Sequence, residues 1–431
     1  MSIATFNVDA TPPIGTALAY DMVKAEGQPL SARGVVLMGD FKPIVLCAVD
    51  WIGIGNNSQT AWKSILAQAA GTLPSRVAVH TLHQHDAPFD DQSIVDLARV
   101  YGLQGNFADA GFVSKTMARA ARAIRDGIRA PSPITHVGMG QGKVEKVASN
   151  RRIQGPDGKV KQMRWTACRD PALRALPEGV IDPLARVIGF WNGDQPVAVL
   201  SYYATHPQSF YRTGAPHPDF PGMARSLREK AVPGALHVHF TGAAGDIGAG
   251  KYNDGSPENR PILARRLAAG LERAWQDALR SRKVLRPGQV GWRMEPVTLP
   301  PSQGYAEESL VRAIESGPAG SRVEQGRALV WWRRCQSGPP IELGCLRLDD
   351  ALVLHMPGEL LVEYQLAAQT MRPERFVCMA AYGDYGPGYI GTREAYPQGG
   401  YETGPASRVA PDVEDVLMNA MRKLLLPAEK E

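Results

Sequence analysis

Short apolar runs recur along the chain, separated by polar breaks. GVVLMG, PIVLCAVD, RVAVHTLH, VIGFWN, PVAVLSYYATH, LHVHFTGAAG, GCLRLDDALVLHMPGE and FVCMAAYGD have short cores rich in Val, Ile and aromatics, bounded by Gly, Pro or Asp. That pattern predicts strands. Between them lie helix patterns: SQTAWKSILAQAAG, DAGFVSKTMARAARAIRDGIR, GMARSLREKA, NRPILARRLAAGLERAWQDALRSR, GELLVEYQLAAQTM and PDVEDVLMNAMRKLLL. Ser58 and Asn259 stand where N-caps are expected, and Gly71 where a helix stops. Strands and helices mix throughout without a fixed repeat period, so the expected class is mixed α/β. In such a layered fold the loops at strand ends are where a site is expected.

Two polar stretches interrupt the pattern. One, near 145–180, carries NRR and a turn at Pro156-Asp157-Gly158; the other, near 295–342, holds PPSQGYAEES and ESGPAGSR. Strand-like runs continue on both sides of each. The expectation is therefore one domain over 1–431 with two insertions, although the length alone would suggest two or three domains.

Composition narrows the function classes. An apolar share of 44% with 21% charged residues is that of a folded chain, not a disordered one. The net charge of +5 is dilute, and no basic cluster interleaves with aromatics, so nucleic acid is not an expected partner. No apolar run approaches the roughly 18 residues of a membrane span. The start, MSIATFNVDATPPIG, has neither a basic n-region nor an apolar h-region. Cys47, Cys168, Cys335, Cys345 and Cys378 are scattered without a CxxC pair. Reduced thiols and a cytoplasmic location are the expectation, with Cys47 and Cys378 buried and inert. Oligomeric state is not legible.

Five stretches could carry chemistry. HTLHQHDAP places His80, His83 and His85 at the end of an apolar run. On a strand His83 and His85 would share one face and His80 the other. Two such imidazoles suit a metal ligand and a proton carrier, or simply a satisfied polar pair. His206 closes SYYATHPQSF, and Glu359 in MPGELLVEY stands at an expected helix start, where an acid favours the dipole. AYGDYGPGYIGTREAYPQGGYE holds six glycines and five tyrosines in 22 residues, a composition for a site loop, not for a core. HVHFTGAAGDIGAGKYNDG carries Asp246 but neither GxGxxG nor a Walker lysine-serine, so it is not read as a nucleotide site; His237 and His239 are expected to be structural.

Taken in order, TPPIG, LHQHDAP, NRR with DGKV, ATHPQ, PDFPGMAR, TGAAGDIG, PGE and GYIGTREAYPQGGYE resemble the neutral ceramidase superfamily, and more narrowly its shorter bacterial relatives that lack the C-terminal immunoglobulin-like domain. The resemblance runs from about residue 8 to 402. It implies a ceramidase-type catalytic domain with a single zinc ion. The ligands it implies are His83, His206, Glu359 and Tyr389, with His85 as the proton carrier. Two nitrogens and two oxygens suit zinc and leave a position open. Tyr389 would also stand near the developing oxyanion, and Asp246 would either orient a histidine or hold its loop.

The chain departs from the family at one point. Ceramidases carry a nucleophilic serine in a GDxS pattern; here Gly245-Asp246-Ile247 is followed by Gly248. A serine acyl-enzyme does not carry over, which leaves metal-activated water. The expected reaction is zinc-dependent hydrolysis of an amide, or less readily an ester, in a small polar molecule. The alternatives are a metal-dependent lyase or isomerase of a sugar or hydroxy acid, and a non-catalytic relic that binds ligand. Arg151, Arg152, Arg212, Lys251 and Arg393 lie in or near the motifs and could pair with a carboxylate or phosphate, solvated surface being the plainer reading, least so for Arg393. Arg393, Lys251 and Arg212 are the candidate substrate-binding cations.

Overall fold

A computed structural model describes residues 1–426. The apolar runs form strands, and three of the sheets follow one plan. Ser2–Asp9, Ser31–Gly39 and Phe41–Val49 make an antiparallel meander; helix Asn56–Ala70 then crosses over, and Val77–Thr81 joins parallel to Phe41–Val49. His136–Lys143, Leu184–Asn192 and Gln195–Tyr203 repeat the meander, helix Asp219–Ala231 crosses, and Leu236–Thr241 returns parallel. Val290–Val297, Ile341–Leu348 and Ala351–His355 do so again, with helix Val362–Met371 and parallel strand Phe376–Ala380. The repeat is topological. Insertions of unequal length separate the units, which is why no period shows in the sequence.

The three sheets face one another across a shared core. Leu46 and Ala48 of the first meet Leu200 and Phe240 of the second and Leu346 and Val353 of the third, all fully buried. The last strands of the units are tied at their C-terminal ends. Thr81 N–H donates to Tyr382 O at 2.9 Å, Ala381 N–H to Thr241 O at 2.9 Å, and the Thr241 hydroxyl to Leu82 O at 2.9 Å. This closed set of bonds is a floor on which loops from all three units converge. Sites in sheets with parallel crossovers form at such strand ends.

Several expectations are corrected. Ser58 is not a cap: the helix begins at Asn56 after Gly55, and the Ser58 hydroxyl donates to Asp90 at 2.8 Å. Asn259 is the first residue of its helix, Asn259–Arg280, and not the cap before it. Gly71 does end its helix, in the left-handed conformation at φ 67°. The polar stretch near 145–180 forms the hairpin Arg152–Gln154/Val160–Met163, with Gly158 at φ 73° in its turn. The stretch near 295–342 contains helices Glu307–Ser316 and Arg322–Ser337, whose Leu310, Ile314 and Leu329 pack on Ile94 and Leu97 of helix Gln92–Tyr101. Cys47 and Cys378 are buried in strands. Among the described residues no helix is long and apolar enough to cross a membrane.

Candidate metal centre

His83 and His85 do not lie on a strand. The strand ends at Thr81, and His83 has φ 73°, a left-handed kink that only a strongly constrained non-glycine residue holds. Strand alternation therefore does not bring the two rings together; the kink does. Their centroids are 4.9 Å apart, and His83 is 4.9 Å from His206, which follows strand Gln195–Tyr203. His83 lies between the rings of Tyr382 and Tyr385, at 4.7 and 5.6 Å. His80 faces elsewhere, with Nδ1 on Ala381 O at 2.7 Å and Nε2 on His355 at 2.9 Å.

Glu359 is not at a helix start. Glu359–Leu360 form a two-residue parallel bridge with Tyr389–Ile390, in which Glu359 and Tyr389 are register partners. Side chains at one register of a parallel pair point to one face, so the bridge delivers a carboxylate and a phenol to the same side.

The polar atoms meet there. Glu359 Oε2 lies 3.2 Å from His83 Nε2 and 3.1 Å from His206 Nε2. The Tyr389 hydroxyl is 3.4 Å from His206 Nε2, and Tyr385 donates its hydroxyl to Glu359 Oε1. On the far side of each ring a backbone carbonyl receives Nδ1–H: Ile52 O for His83 at 2.6 Å, Ala244 O for His206 at 2.7 Å, and His83 O for His85 at 3.1 Å. Those bonds fix the tautomer and leave Nε2 as a bare acceptor. Glu359 Oε2 is buried and receives no hydrogen bond among the described residues. Buried acceptors facing one another repel unless a proton or a metal cation lies between them, and a cation there would satisfy all three. Ligand nitrogens of His83, His85 and His206 all lie within 4.8 Å of one another. The donor set of imidazole nitrogens, one carboxylate and one phenol fits a divalent metal ion.

The electrostatics agree. Burial pushes the Glu359 carboxyl up, but His83 and His206 outweigh it and hold it well below the usual carboxylate range. Burial lowers His206 to about 4, partly opposed by its contact with Glu359, and lowers His85 well below 6.5, reinforced by His83 and His206. Both rings are therefore neutral at pH 7, the state that binds metal or accepts a proton.

The remaining candidates are distributed differently. Asp246 accepts from Val362 N–H at 3.0 Å and from the Asn150 amide at 2.6 Å, so its hydrogen bonds anchor a loop and reach no histidine. Burial, with Glu363 nearby, pushes it up to about 8. Lys251 donates to the carbonyls of Arg174, Ala175 and Leu176 at the end of helix Pro171–Ala175. Arg393 turns its guanidinium to Asp412 and Asp415 on the surface. These two cations thus have local partners away from the cluster. Arg212 stands at the rim, its guanidinium 5.7 Å from the Tyr20 ring and 5.5 Å from Tyr211, the two rings that pack on His85.

Sequence reasoning misplaced Arg151 and Arg152, which are buried and not solvated. Arg151 Nε reaches Glu402 Oε1 at 2.5 Å and Arg152 Nη1 reaches Glu402 Oε2 at 3.0 Å. Arg151 lies beside the phenol of Tyr389, its carbon centre 5.3 Å from that ring. It also missed Tyr385, whose only signal is its place among five tyrosines, and Thr166, which has none. A Cβ built on Gly248 would meet Thr166 Cγ2 at 2.4 Å, so the Thr166 methyl fills the space of the missing side chain; the Thr166 hydroxyl donates to Gln208 at 2.6 Å.

No family model matches the sequence, and no curated protein matches it. Solved structures do match the fold. The neutral ceramidase from Pseudomonas aeruginosa aligns over 98% of this chain and 73% of its own, with a TM-score of 0.71 and 16% identity. A ceramidase complexed with C2 aligns over 98% and 74%, with a TM-score of 0.70 and 16% identity. The chain therefore has a neutral ceramidase-like fold.

Proposed function

We propose that this protein is a zinc-dependent hydrolase that cleaves an amide, or an ester, of a small polar substrate with metal-activated water and without a serine nucleophile. The observation that carries this reading is the convergence of His83 Nε2, His206 Nε2 and the unpartnered Glu359 Oε2 within 3.1–3.2 Å. The likeness in fold to ceramidases, which differ widely in sequence from this chain, supports it.

His83, His206, Glu359 and Tyr389 would hold a zinc ion, which would supply a water of pKa about 7 and a Lewis acid to polarise a carbonyl. Tyr385, bonded to Glu359, fixes the carboxylate's orientation. His85 takes the proton of the attacking water on Nε2 and returns it to the leaving nitrogen. The Tyr389 hydroxyl donates to the carbonyl oxygen as charge develops on it. Nothing at Gly248 can form an acyl-enzyme, because the place of its side chain is taken by the Thr166 methyl.

The test is a screen of small amides and esters, with and without chelator, followed by turnover in oxygen-18 water. Activity is expected to vanish on chelation, to return with zinc, and to leave one labelled oxygen in the product acid. Turnover that survives chelation, or a product without label, contradicts the proposal; the latter points to a lyase or isomerase.

A further inference from the structure

Arg151 is 2% exposed, yet its Nη2 makes no hydrogen bond among the described residues. A guanidinium that deep normally spends every N–H, because a buried polar group without a partner loses its hydration uncompensated. Its surroundings are aromatic: Tyr389 at 5.3 Å, Trp165 at 5.7 Å and Tyr401 at 5.7 Å from the guanidinium carbon. Rings stack on its faces and leave the edge free. Trp165 and Tyr401 are each 46% exposed, so two of the rings that cover this guanidinium reach solvent. A second guanidinium, Arg212, stacks on Tyr20 and Tyr211 beside His85 and has no acidic partner among the described residues.

Charge selects the ligand. Glu402 is shared between Arg151 and Arg152, so the trio carries one excess positive charge. A divalent ion with Glu359 leaves one more. One carboxylate on the substrate neutralises the excess charge of the trio, and a neutral substrate would leave that buried cation unpaired.

We propose that the substrate carries a carboxylate, and that Arg151 binds it through Nη2 while the metal site holds the scissile carbonyl. This rests on the hydrolase reading above. The substrate class is thus an N-acylated amino acid or a related anionic amide, and Arg212 at the rim draws it in.

The test is calorimetric binding of N-acetyl-L-phenylalanine and N-acetyl-L-phenylalaninamide to the protein, with metal content measured on the same samples. The acid is expected to bind at least roughly tenfold tighter than its amide, the discrimination of one charge-assisted pair. R151Q should bring the two to about equal affinity, and R151K should keep part of the preference, metal content being unchanged in both. Equal affinities in the unmodified protein, no binding of the acid up to about 10 mM, or a preference that survives in R151Q overturns the proposal. Because the ligand comparison is made in the unmodified protein, a misfolded variant does not spare it. A missing metal would count against the hydrolase reading separately, since the acid-over-amide preference is measured independently of it.

Discussion

Position 248 is emptied of its own side chain and filled from elsewhere. Thr166, from the polar stretch near 145–180, puts a methyl 2.4 Å from where a Cβ at 248 would stand. Gly248→Ser alone should therefore cost about 1–3 kcal/mol by overpacking. Adding Thr166→Ser removes the methyl, keeps a hydroxyl for Gln208, and should recover most of that loss. Thermal denaturation of the two singles and the double checks this, and additive losses would contradict it. The residues of the centre differ in how legible they are. His83, His206, Glu359 and Tyr389 stand in short motifs whose spacing survives in the sequence. Arg151 does not, because a buried guanidinium looks like a solvated one until Glu402, 251 positions away, is placed beside it. Thr166 is invisible because its role is defined by an absence at another position.

Strand His136–Lys143 reads HVGMGQGK, with Gly138, Gly140 and Gly142 on one face. Helix Asn259–Arg280 lies directly on that face: a Cβ at 140 would meet Ala274 O at 2.2 Å, and one at 138 would meet Ala278 O at 2.1 Å. The atoms in the way are backbone, which cannot swing aside. Gly140→Ala should destabilise by about 3 kcal/mol or more, read as a fall in the urea midpoint; a midpoint within error of the parent would refute the close helix–strand contact. The strands were legible because their apolar runs are short and β-branched. The helix Gln92–Tyr101 and the pair Glu307–Ser316 and Arg322–Ser337 were missed although Ile94, Leu97 and Ala98, and Leu310 and Ile314, recur at helical spacing. The end of the histidine strand was misjudged for a local reason. Val77–Thr81 leaves the sheet two residues before His83, and a left-handed turn does what alternation was expected to do.

At the scale of the molecule, three units of one topology meet at their strand ends, and each contributes to the centre: His83 and His85 from the first, His206 from the second, Glu359 and Tyr389 from the third. A site at the strand ends was legible; that three sheets of one topology close on one another to form it was not, since nothing in the spacing shows the repeat. It also buries histidines between them. His239 bonds Ser201 at 2.9 Å, and burial, with Arg225 close by, lowers it to about 3. Its folded pKa lies below the unfolded 6.5, so the unfolded chain binds the proton first. The stability tied to neutral His239 is present above pH 6.5 and is lost as pH falls below it, by up to about 2 kcal/mol at pH 5. Asp91, raised by burial to about 7, has the opposite sign, so the parent protein alone sums both. The difference between parent and His239→Gln in urea midpoint isolates the histidine. It should shift against the parent between pH 7.5 and 5, and a constant difference would contradict the assignment.

The claim on which the rest depends is that the bare acceptors of His83, His206 and Glu359 hold a metal ion. Metal content of the purified protein, beside Glu359→Ala and Tyr385→Phe, tests it most directly. The account predicts about one zinc per chain in the parent, little or none in Glu359→Ala, and an affinity weakened by about 10–100-fold in Tyr385→Phe, which loses the bond that orients the carboxylate. A parent that stays metal-free after incubation with zinc, or a Glu359→Ala variant that retains its full complement, would contradict it.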